Sequence, residues 1–429
     1  MSFAYQISEK LLQYIWQFQL FVNTDFVTAE GMPLNLLHQG SLNNNQGPDF
    51  TDGRVSYHET VWVGNIELHV RSSDWFEHGH SSDCNYKNVI LHVVWIHDAT
   101  IELPFPTLVI KDYVDEALLL RFSDLMKIAA FVACDKEIGV VDEIVVEKWK
   151  ERLLAERLLQ KAQLFLKEWE QTKGDWDEVC WRYLAKSYGG KVNGEGFYQL
   201  ARSLPWKQLK RERADRFRLE ALLLGQAGLL EEELLDDYFL SLKKEYAHLT
   251  RKWNLQPIRN SMYLLRMRPS NFPALRISQL AGFIHLNEYL LSGFLHTKQI
   301  FALKSWMTSA ASSYWDHHYR FGDTSAYLVK KTGESFLEAI VINTIVPAVF
   351  AFGLHHQDDS FCKLAIEWLS ALDAESNGIV DGFKKTGLKV QSAFDSQALI
   401  QMKLNYCDKK LCLDCSIGNA VLNKPQQRL

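Results

Sequence analysis

The sequence predicts an α+β fold, with a mixed α/β domain over residues 1–125 and a large, mostly α-helical domain over residues 126–429. Runs with the two-residue alternation of β-strands are confined to the first part. Apolar residues at the spacing of amphipathic helices fill the second part. Of the 429 residues, 47% are apolar, which is enough to bury a core in each part.

The first domain is expected to begin with a helix and continue as strands. In "SEKLLQYIWQF", apolar side chains recur at helical spacing after Ser8, a residue type that caps helix N-termini. After Gly47-Pro48 come three strand-like runs, "GRVSYHE", "VWVGNIELHV" and "NVILHVVWI". The run "LPFPTLVI" carries two prolines, which suit an edge strand.

The second domain is expected to be built from helices. The stretch "EIVVEKWKERLLAERLLQKAQLFLKEWEQ" reads as one long amphipathic helix, and helical patterns continue to the C-terminal cysteines. The most apolar segment, "LEAIVINTIVPAVFAFGL", is interrupted by polar residues and a proline. It falls short of the roughly 20 apolar residues that a membrane span requires. We therefore expect a buried helix there and no membrane partner.

Composition favours a cytoplasmic location. The N-terminal residues lack the cationic and apolar regions of a signal peptide. Seven cysteines, an odd number, favour a reducing compartment over a disulfide framework. The net charge of −5 gives no overall attraction to nucleic acid, so such binding would need local basic patches.

A candidate metal site lies in the strand "VWVGNIELHV" and just before the strand that precedes it. Alternation along a strand directs Ile66 and Leu68 to one face, and Glu67 and His69 to the other. Asp49 would meet Glu67 if the two strands form a hairpin. Carboxylates bind Mg²⁺ or Mn²⁺, which can polarise a phosphoryl oxygen and activate water. The plainer alternative is a hairpin with a solvated polar face.

The same residues resemble the core of the PD-(D/E)XK nucleases. "GPDF" supplies the Pro-Asp element at Asp49, "IELH" supplies the final triplet from Glu67 to His69, and the preceding helix carries Glu9 as a further acid. The resemblance implies a metal-dependent nuclease that hydrolyses phosphodiester bonds, with Asp49, Glu67 and His69 catalytic and the two carboxylates binding Mg²⁺ or Mn²⁺. His69 stands where that family usually has lysine. This departure supports the alternative of a non-catalytic module, with a degenerate nuclease core, that binds nucleic acid or protein.

The chain as a whole resembles a bacterial family described only as domain of unknown function 2851. The stretches that carry this resemblance are "GPDF", "ELHVRSSDW", "HGH", "LHVV", "RPSNFPALRISQLA" and "CLDCSIG". They are spread along the full length of the chain. The resemblance implies no activity.

The stretch "SSDWFEHGHSSDCNY" supplies further candidate ligands at His78, His80 and Asp83. Its H-x-H-x-x-D order is similar to the zinc-binding signature of metallo-β-lactamase-like hydrolases, but the aspartate lies one residue too far along. A polar loop that caps the next strand is a second reading. We favour a third, in which these residues reach back to support the site at Asp49 and Glu67. His92, amid strand residues, is interpreted as a core histidine.

Four arginines form a candidate nucleic-acid-binding patch. Arg259, Arg266, Arg268 and Arg276 are interleaved with aromatic residues in "RNSMYLLRMRPSNFPALR", a composition that can grip phosphates and stack on bases. Arginines beside aromatic residues also occur in ordinary helix packing.

Three cysteines near the C-terminus form a second candidate metal site. Cys407, Cys412 and Cys415 have the spacing C-x4-C-x2-C, and their thiolates suit Zn²⁺ or an iron–sulfur cluster. A fourth ligand would come from Cys134, Cys362, a histidine or an exogenous group. The alternative is three buried thiols that only pack.

Overall fold

The computed structural model describes residues 7–43, 45–100, 102–258, 262–263 and 267–423. A sheet-rich N-terminal region precedes a large helical region, so the predicted α+β class is confirmed.

The chain divides into two compact units. The first unit comprises Met1–Trp149, Gly382–Leu388 and Met402–Leu429, and the second comprises Lys150–Asp381 and Lys389–Gln401. The division thus falls at Trp149, later than the predicted 125, and the C-terminal cysteines belong to the first unit.

The elements of the N-terminal region are α1 (Glu9–Gln17), β1 (Phe26–Val27), β2 (Pro33–His38), β3 (Ser41–Leu42), β4 (Phe50–Tyr57), β5 (Thr60–Arg71), α2 (Asp74–Glu77), β6 (Val89–Ile96), β7 (Thr107–Val109), α3 (Glu116–Lys127) and α4 (Glu143–Gln171). The later helices are α5 (Trp176–Tyr188), α6 (Gly190–Ser203), α7 (Trp206–Glu212), α8 (Arg216–Gln226), α9 (Asp237–Trp253), α10 (Pro273–Leu286), α11 (Leu290–His296), α12 (Ile300–Met307), α13 (Glu334–Ile340), α14 (Val346–His356), α15 (Asp359–Ala371), α16 (Gly378–Lys385), α17 (Ala393–Met402) and α18 (Ser416–Leu422). A small hairpin, β8 (His318–Arg320) and β9 (Asp323–Thr324), lies between α12 and α13.

The sheet of the first unit has the strand order β1-β2-β4-β5-β6-β7, with β3 paired to β4. Pairing is antiparallel from β1 to β5 and parallel from β5 to β7. The three predicted strands and the predicted edge strand are confirmed at β4, β5, β6 and β7. Strands β1 to β3 were not predicted, since they are short or mostly exposed and lack a clear alternation.

Helix α1 forms as predicted and packs on the sheet. Ser8 caps it, because its side-chain oxygen accepts a hydrogen bond from Leu11 N at 3.3 Å. Leu12, Ile15 and Trp16 are buried. The Trp16 indole Nε1 donates to Gln39 O at 3.0 Å, which ties the helix to the chain between β2 and β3.

Two β-bulges flank the site-bearing half of β5. Between the pairs Phe50–Ile66 and Gly53–Gly64, β4 contains one extra residue, and Asp52 there has a φ of 60°. On the other side of β5, β6 contains one extra residue at Ile90. The two bulges set the register from which Asp49, before β4, reaches Glu67 on β5.

The second unit is helical and packs around large apolar side chains, among them Trp181, Phe283 and Trp368. Glu220 is fully buried inside it and accepts hydrogen bonds from Ser278 Oγ at 2.9 Å and from Trp315 Nε1 at 2.6 Å. A buried carboxylate supplied with donors in this way is a fixed part of the core.

The predicted buried apolar helix is confirmed. The helical stretch Glu334–His356 is long and apolar enough to cross a membrane by length and composition, but 72% of its most apolar window is buried inside the protein. Val341, Ile345 and Val349 are among its buried residues. This is the burial expected of a core helix.

Gly64 is the residue that allows β5 to approach the bulge in β6. A Cβ atom at this position would lie 2.4 Å from Asn88 O and 2.6 Å from Ile90 Cγ2. We therefore expect Gly64→Ala to lower the stability by about 1–3 kcal/mol, because the bulge or β5 must move to make room. Thermal unfolding of the purified protein measures this. Gly378→Ala is the matched control, because Gly378 has open space around its Cβ position; equal melting temperatures for the two variants would contradict the role given to Gly64.

Candidate metal centre

The structure brings Asp49 and Glu67 together through crossed hydrogen bonds. Glu67 Oε2 accepts from the backbone N of Asp49 at 3.0 Å, and Asp49 Oδ2 accepts from the backbone N of Leu68 at 3.0 Å. Gln13 on α1 donates to Asp49 Oδ1 at 2.7 Å. Glu67 is only 5% exposed. The predicted meeting of the two carboxylates is therefore present, but they lie in a buried setting and not on a solvated strand face.

Burial perturbs both carboxylates strongly. It raises the pKa of Glu67 to about 9, and the charge of Asp49 adds to this rise. Burial also raises the pKa of Asp49 to about 6, although hydrogen bonds from Leu68 and Gln13 oppose the rise. Asp49 has the lower pKa because it accepts two hydrogen bonds, whereas Glu67 accepts one from the backbone. Without a nearby cation, the pair does not carry two negative charges at neutral pH.

Three histidines lie together beside Glu67, and two of them contact its carboxyl group. His69 Nε2 lies 3.5 Å and His80 Nε2 lies 3.4 Å from Glu67 Oε1. His78 Nδ1 lies 3.2 Å from His69 Nε2. Each of the three histidines offers a ring nitrogen within 4.8 Å of the other two, a spacing that can hold one metal ion. His80 therefore lies beside Glu67, and His78 joins the group through its contact with His69.

His92 also belongs to this cluster, which the sequence interpretation missed. His92 is fully buried as expected, but its Nε2 lies 2.9 Å from His69 Nδ1. Parallel pairing sets His92 opposite Glu67, and this pairing is the signal that could have found it. If His69 Nδ1–H donates to His92, the Nε2 lone pair of His69 is free to face the other ligand atoms. His92 is then a positioning residue for His69.

The buried rings of the cluster stay uncharged. Burial, with neighbouring histidines, lowers the pKa of His69 to about 3 and that of His92 to about 3. Burial and His78 also lower the pKa of His80. Neutral imidazole is the form that binds metals. The cluster thus offers neutral nitrogens beside two carboxylates that a cation would ionise.

Aromatic side chains hold the loop that returns His80 to the site. The His80 ring stacks on Tyr86 with 3.8 Å between centroids, and the Trp75 ring meets His80 edge-on. Trp75 Nε1 donates to Ser81 Oγ at 3.0 Å, which fixes the turn that follows His80. His78, by contrast, is exposed. The cluster therefore has a rigid inner wall and opens to solvent at His78.

Glu9 and Asp83 differ in their relation to the cluster. Glu9 is half-buried on α1, and its charge contributes to the raised pKa values of Asp49 and Glu67. It is therefore near enough to act as the further acid. Asp83 instead accepts from Asn85 N at 2.9 Å and caps a short turn. Asp83 follows the loop-capping interpretation and is not among the clustered ligands.

The structure describes two of the four candidate nucleic-acid-binding arginines. Arg259 and Arg266 lie outside the described residues, and Arg268 is exposed. Arg276 is only 8% exposed, with Nη2 donating to Asn271 Oδ1 at 2.8 Å. Its guanidinium lies 3.6 Å from the centroid of the Phe336 ring. Arg276 is therefore a packing residue of the second unit, and little of its side chain is exposed to solvent.

Cys407, Cys412 and Cys415 line a second, separate cavity of the first unit, together with Cys134. Cys362 lies elsewhere, with its sulfur 3.7 Å from Phe350 O in the second unit. Cys134 is thus the candidate fourth ligand that the structure places beside the other three.

The buried charge of Glu67 gives a stability test in metal-free protein. Its folded pKa, about 9, lies above its ordinary value of 4.5, so the folded state holds the proton more tightly and loses stability as pH rises between these values. Glu67→Gln, which is neutral and similar in shape, should be similar in stability to wild type at pH 5 and more stable at pH 8, by up to about 4 kcal/mol. Denaturation in a chelator at both pH values measures this. Glu77→Gln, an exposed change on α2, should show no such difference; a Glu67→Gln variant less stable at pH 8 would refute the buried charge.

Comparison with known proteins finds one match. A family model described as "Protein of unknown function (DUF2851)" matches residues 9–378. The matched range includes the histidine–carboxylate cluster, which consists of Asp49, Glu67, His69, His78, His80 and His92, and excludes the three C-terminal cysteines. A nuclease core in the N-terminal part is not confirmed. No curated protein and no solved structure matches. The match covers most of the chain, and the chain therefore belongs to the DUF2851 family.

Proposed function

We propose that this protein is a divalent-metal-dependent hydrolase that cleaves phosphodiester bonds in nucleic acid. The observation that carries the proposal is the hydrogen-bonded pair of half-buried Asp49 and buried Glu67, with Glu67 in contact with two of the three clustered histidines. Such a site costs stability when it is empty, because two carboxylates are held out of water with few donors. A bound cation would offset that cost. Perturbed ionisable groups gathered at a solvent opening are typical of functional sites.

The donor set favours Mn²⁺ over Mg²⁺. Carboxylate oxygens suit both ions, but imidazole nitrogens suit transition metals. Asp49 and Glu67 would supply the oxygens, and His69, His78 and His80 the nitrogens. When bound, such an ion polarises a phosphoryl oxygen and lowers the pKa of a bound water. The order of α1, β4 and β5 with the acids at these positions, which resembles the PD-(D/E)XK nucleases, supports phosphodiesters as the substrate.

The side chains would divide the work according to their exposure. His69 is 1% exposed and its pKa is lowered to about 3, so it acts as a neutral ligand and cannot provide the positive charge of the lysine it replaces. His92 orients it. His78 is exposed, so it would be the metal ligand at the solvent edge, where substrate would enter. Glu9 would place a further carboxyl group near His78, at the solvent opening of the site.

One observation favours a second candidate, a binding module that holds metal without turnover. The position that carries a charged lysine in PD-(D/E)XK nucleases is here a buried neutral histidine. Charge on the phosphate would then have to be neutralised by the metal alone. The two candidates predict the same metal site and differ in catalysis.

Metal binding tests what the two candidates share. We expect wild-type protein to bind Mn²⁺ with release of protons, and the affinity to rise with pH between about 6 and about 9, as Asp49 and Glu67 lose their protons. Glu67→Gln should weaken binding at least about tenfold, and Glu77→Gln should leave it unchanged. Calorimetry in two buffers of different ionisation enthalpy measures both quantities. Equal Mn²⁺ affinity in wild type and Glu67→Gln would remove the metal site.

Catalysis separates the candidates. We expect cleavage of single- or double-stranded DNA or RNA to depend on Mn²⁺ and to fall by about two or more orders of magnitude in Asp49→Asn. His69→Lys should also lose activity, because a buried lysine would displace the neutral ligand and its contact with His92. Cleavage of labelled oligonucleotides measures these rates. If His69→Lys gains activity, His69 is a lysine substitute and not a ligand; if wild type binds Mn²⁺ yet cleaves no substrate, the binding module remains.

A further inference from the structure

Four cysteines from two distant parts of the sequence meet around one cavity in the first unit. Cys407, Cys412 and Cys415 come from the chain between α17 and α18, and Cys134 comes from the turns between α3 and α4. The other lining residues are Ala133, Tyr406, Leu411 and Gly418. Among the residues that the structure describes, no carboxylate or histidine lines this cavity, so thiols are its main candidate metal ligands.

The four cysteines line one cavity, although among the described residues no three of their sulfur atoms lie within 4.8 Å of one another. Binding of a single zinc ion would need these side chains to move closer together, whereas an iron–sulfur cluster spans a wider spacing. Burial raises the pKa of Cys134 to about 12, with Cys415 and Cys412 adding to the rise. Burial likewise raises the pKa of Cys412 to about 11, with Cys415 adding, and raises that of Cys407 further, with the other three contributing. Three of the four thiols are buried, and that of Cys407 is half-buried. They gain little from one another, because S–H is a weak donor and sulfur a weak acceptor.

The surroundings of the cavity suit thiolates. Burial raises the pKa of Cys415, but hydrogen-bond donors at Gly418 N, Ile417 N and the Trp149 indole act against the rise. Lys403 acts in the same way on Cys407, and Lys410 on Cys412. The ammonium groups of these lysines donate to Asp408 and to Met126 O, so they act on the sulfurs only through their charge. Nearby donors and positive charge stabilise the thiolate, the form that binds metals.

The backbone is shaped to bring the last two cysteines together. A Cβ atom on Gly418 would lie 2.2 Å from the carbonyl oxygen of Cys412, so only glycine permits this close approach. The backbone N of Cys415 donates to Cys412 O at 3.3 Å, which closes the C-x2-C turn. On the other side, Cys134 O accepts from Ile138 N at 2.9 Å and from Glu137 N at 3.0 Å, so its turn is also fixed.

We propose that Cys134, Cys407, Cys412 and Cys415 form a tetrathiolate site for a thiophilic metal centre, either a zinc ion or an iron–sulfur cluster. The site fastens the C-terminal segment to the turns after α3. It is independent of the histidine–carboxylate cluster, with which it shares no residue. Its role is structural, because all four positions are taken by protein ligands and none is left for substrate.

Metal analysis of the purified protein tests the proposal. Wild-type protein purified anaerobically should carry about one zinc ion, or about four iron atoms with visible absorption and acid-labile sulfide, per chain. Cys134→Ser and Cys412→Ser should each lose most of this metal and melt at lower temperature. Cys180→Ser, which alters a buried thiol of the second unit, should keep its metal. Glu67→Gln should keep it as well, which separates this site from the one proposed for catalysis.

A measurement on wild-type protein covers the case in which the cysteine variants fail to fold. Titration with a mercurial that binds thiols should release the zinc or iron, measured with a chromogenic chelator, whereas metal at the histidine–carboxylate cluster would stay bound. Wild-type protein with no stoichiometric zinc or iron would overturn the proposal. So would metal that survives both the mercurial and Cys134→Ser.

Discussion

The exchange of hydrogen bonds between Asp49 and Glu67 is the interaction on which the candidate centre depends. Each carboxylate accepts a backbone N–H of the other's strand segment, so the position of one fixes the other. The bonds also take the place of regular ladder pairing beside the β4 bulge. A carboxylate used only to complete a sheet would not need to be buried with a raised pKa. The pair therefore has two effects: it joins the start of β4 to β5, and it places two perturbed carboxylates side by side.

The clustered histidines form a row of contacts that runs from the interior beside Glu67 to the protein surface. His92 contacts His69, His69 contacts His78, and His78 is exposed. The pKa of His69 and that of His92 are lowered to about 3, so the inner rings remain neutral over the physiological range. The inner part of the cluster is thus a row of neutral rings beside two carboxylates that tend to keep their protons.

Much of the first unit could be predicted from the sequence because its signals are local. Helix α1 shows helical spacing and a cap, and β4 to β6 have strand composition. The meeting of Asp49 and Glu67 followed from a hairpin of the right order. The burial of both faces of β5 did not follow, because alternation indicates faces but not what covers them. A loop and an aromatic wall cover the face that carries Glu67 and His69.

Non-local contacts explain the remaining differences. His92 reads as a core residue until the parallel pairing of β5 and β6 places it beside His69. Arg276 looks available for phosphate in the sequence, but it packs on Phe336, far along the chain. Cys134 could only be one of several alternatives for the fourth thiol, because no spacing rule connects it to Cys407. Residues that meet across long separations leave no local pattern.

The division of the first unit into separate stretches of sequence has a consequence for synthesis. Residues of this unit occur in Met1–Trp149 and again in Gly382–Leu388 and Met402–Leu429. During translation the sheet and α1 leave the ribosome long before the segment that supplies three of the four clustered cysteines. Domains generally fold as units as they emerge, but this unit is complete only when nearly the whole chain has been made. Helices α1 and α3 must therefore persist for most of translation without the contacts of Cys412–Asp414 and α18, and chaperones matter most for the nascent chain during this period.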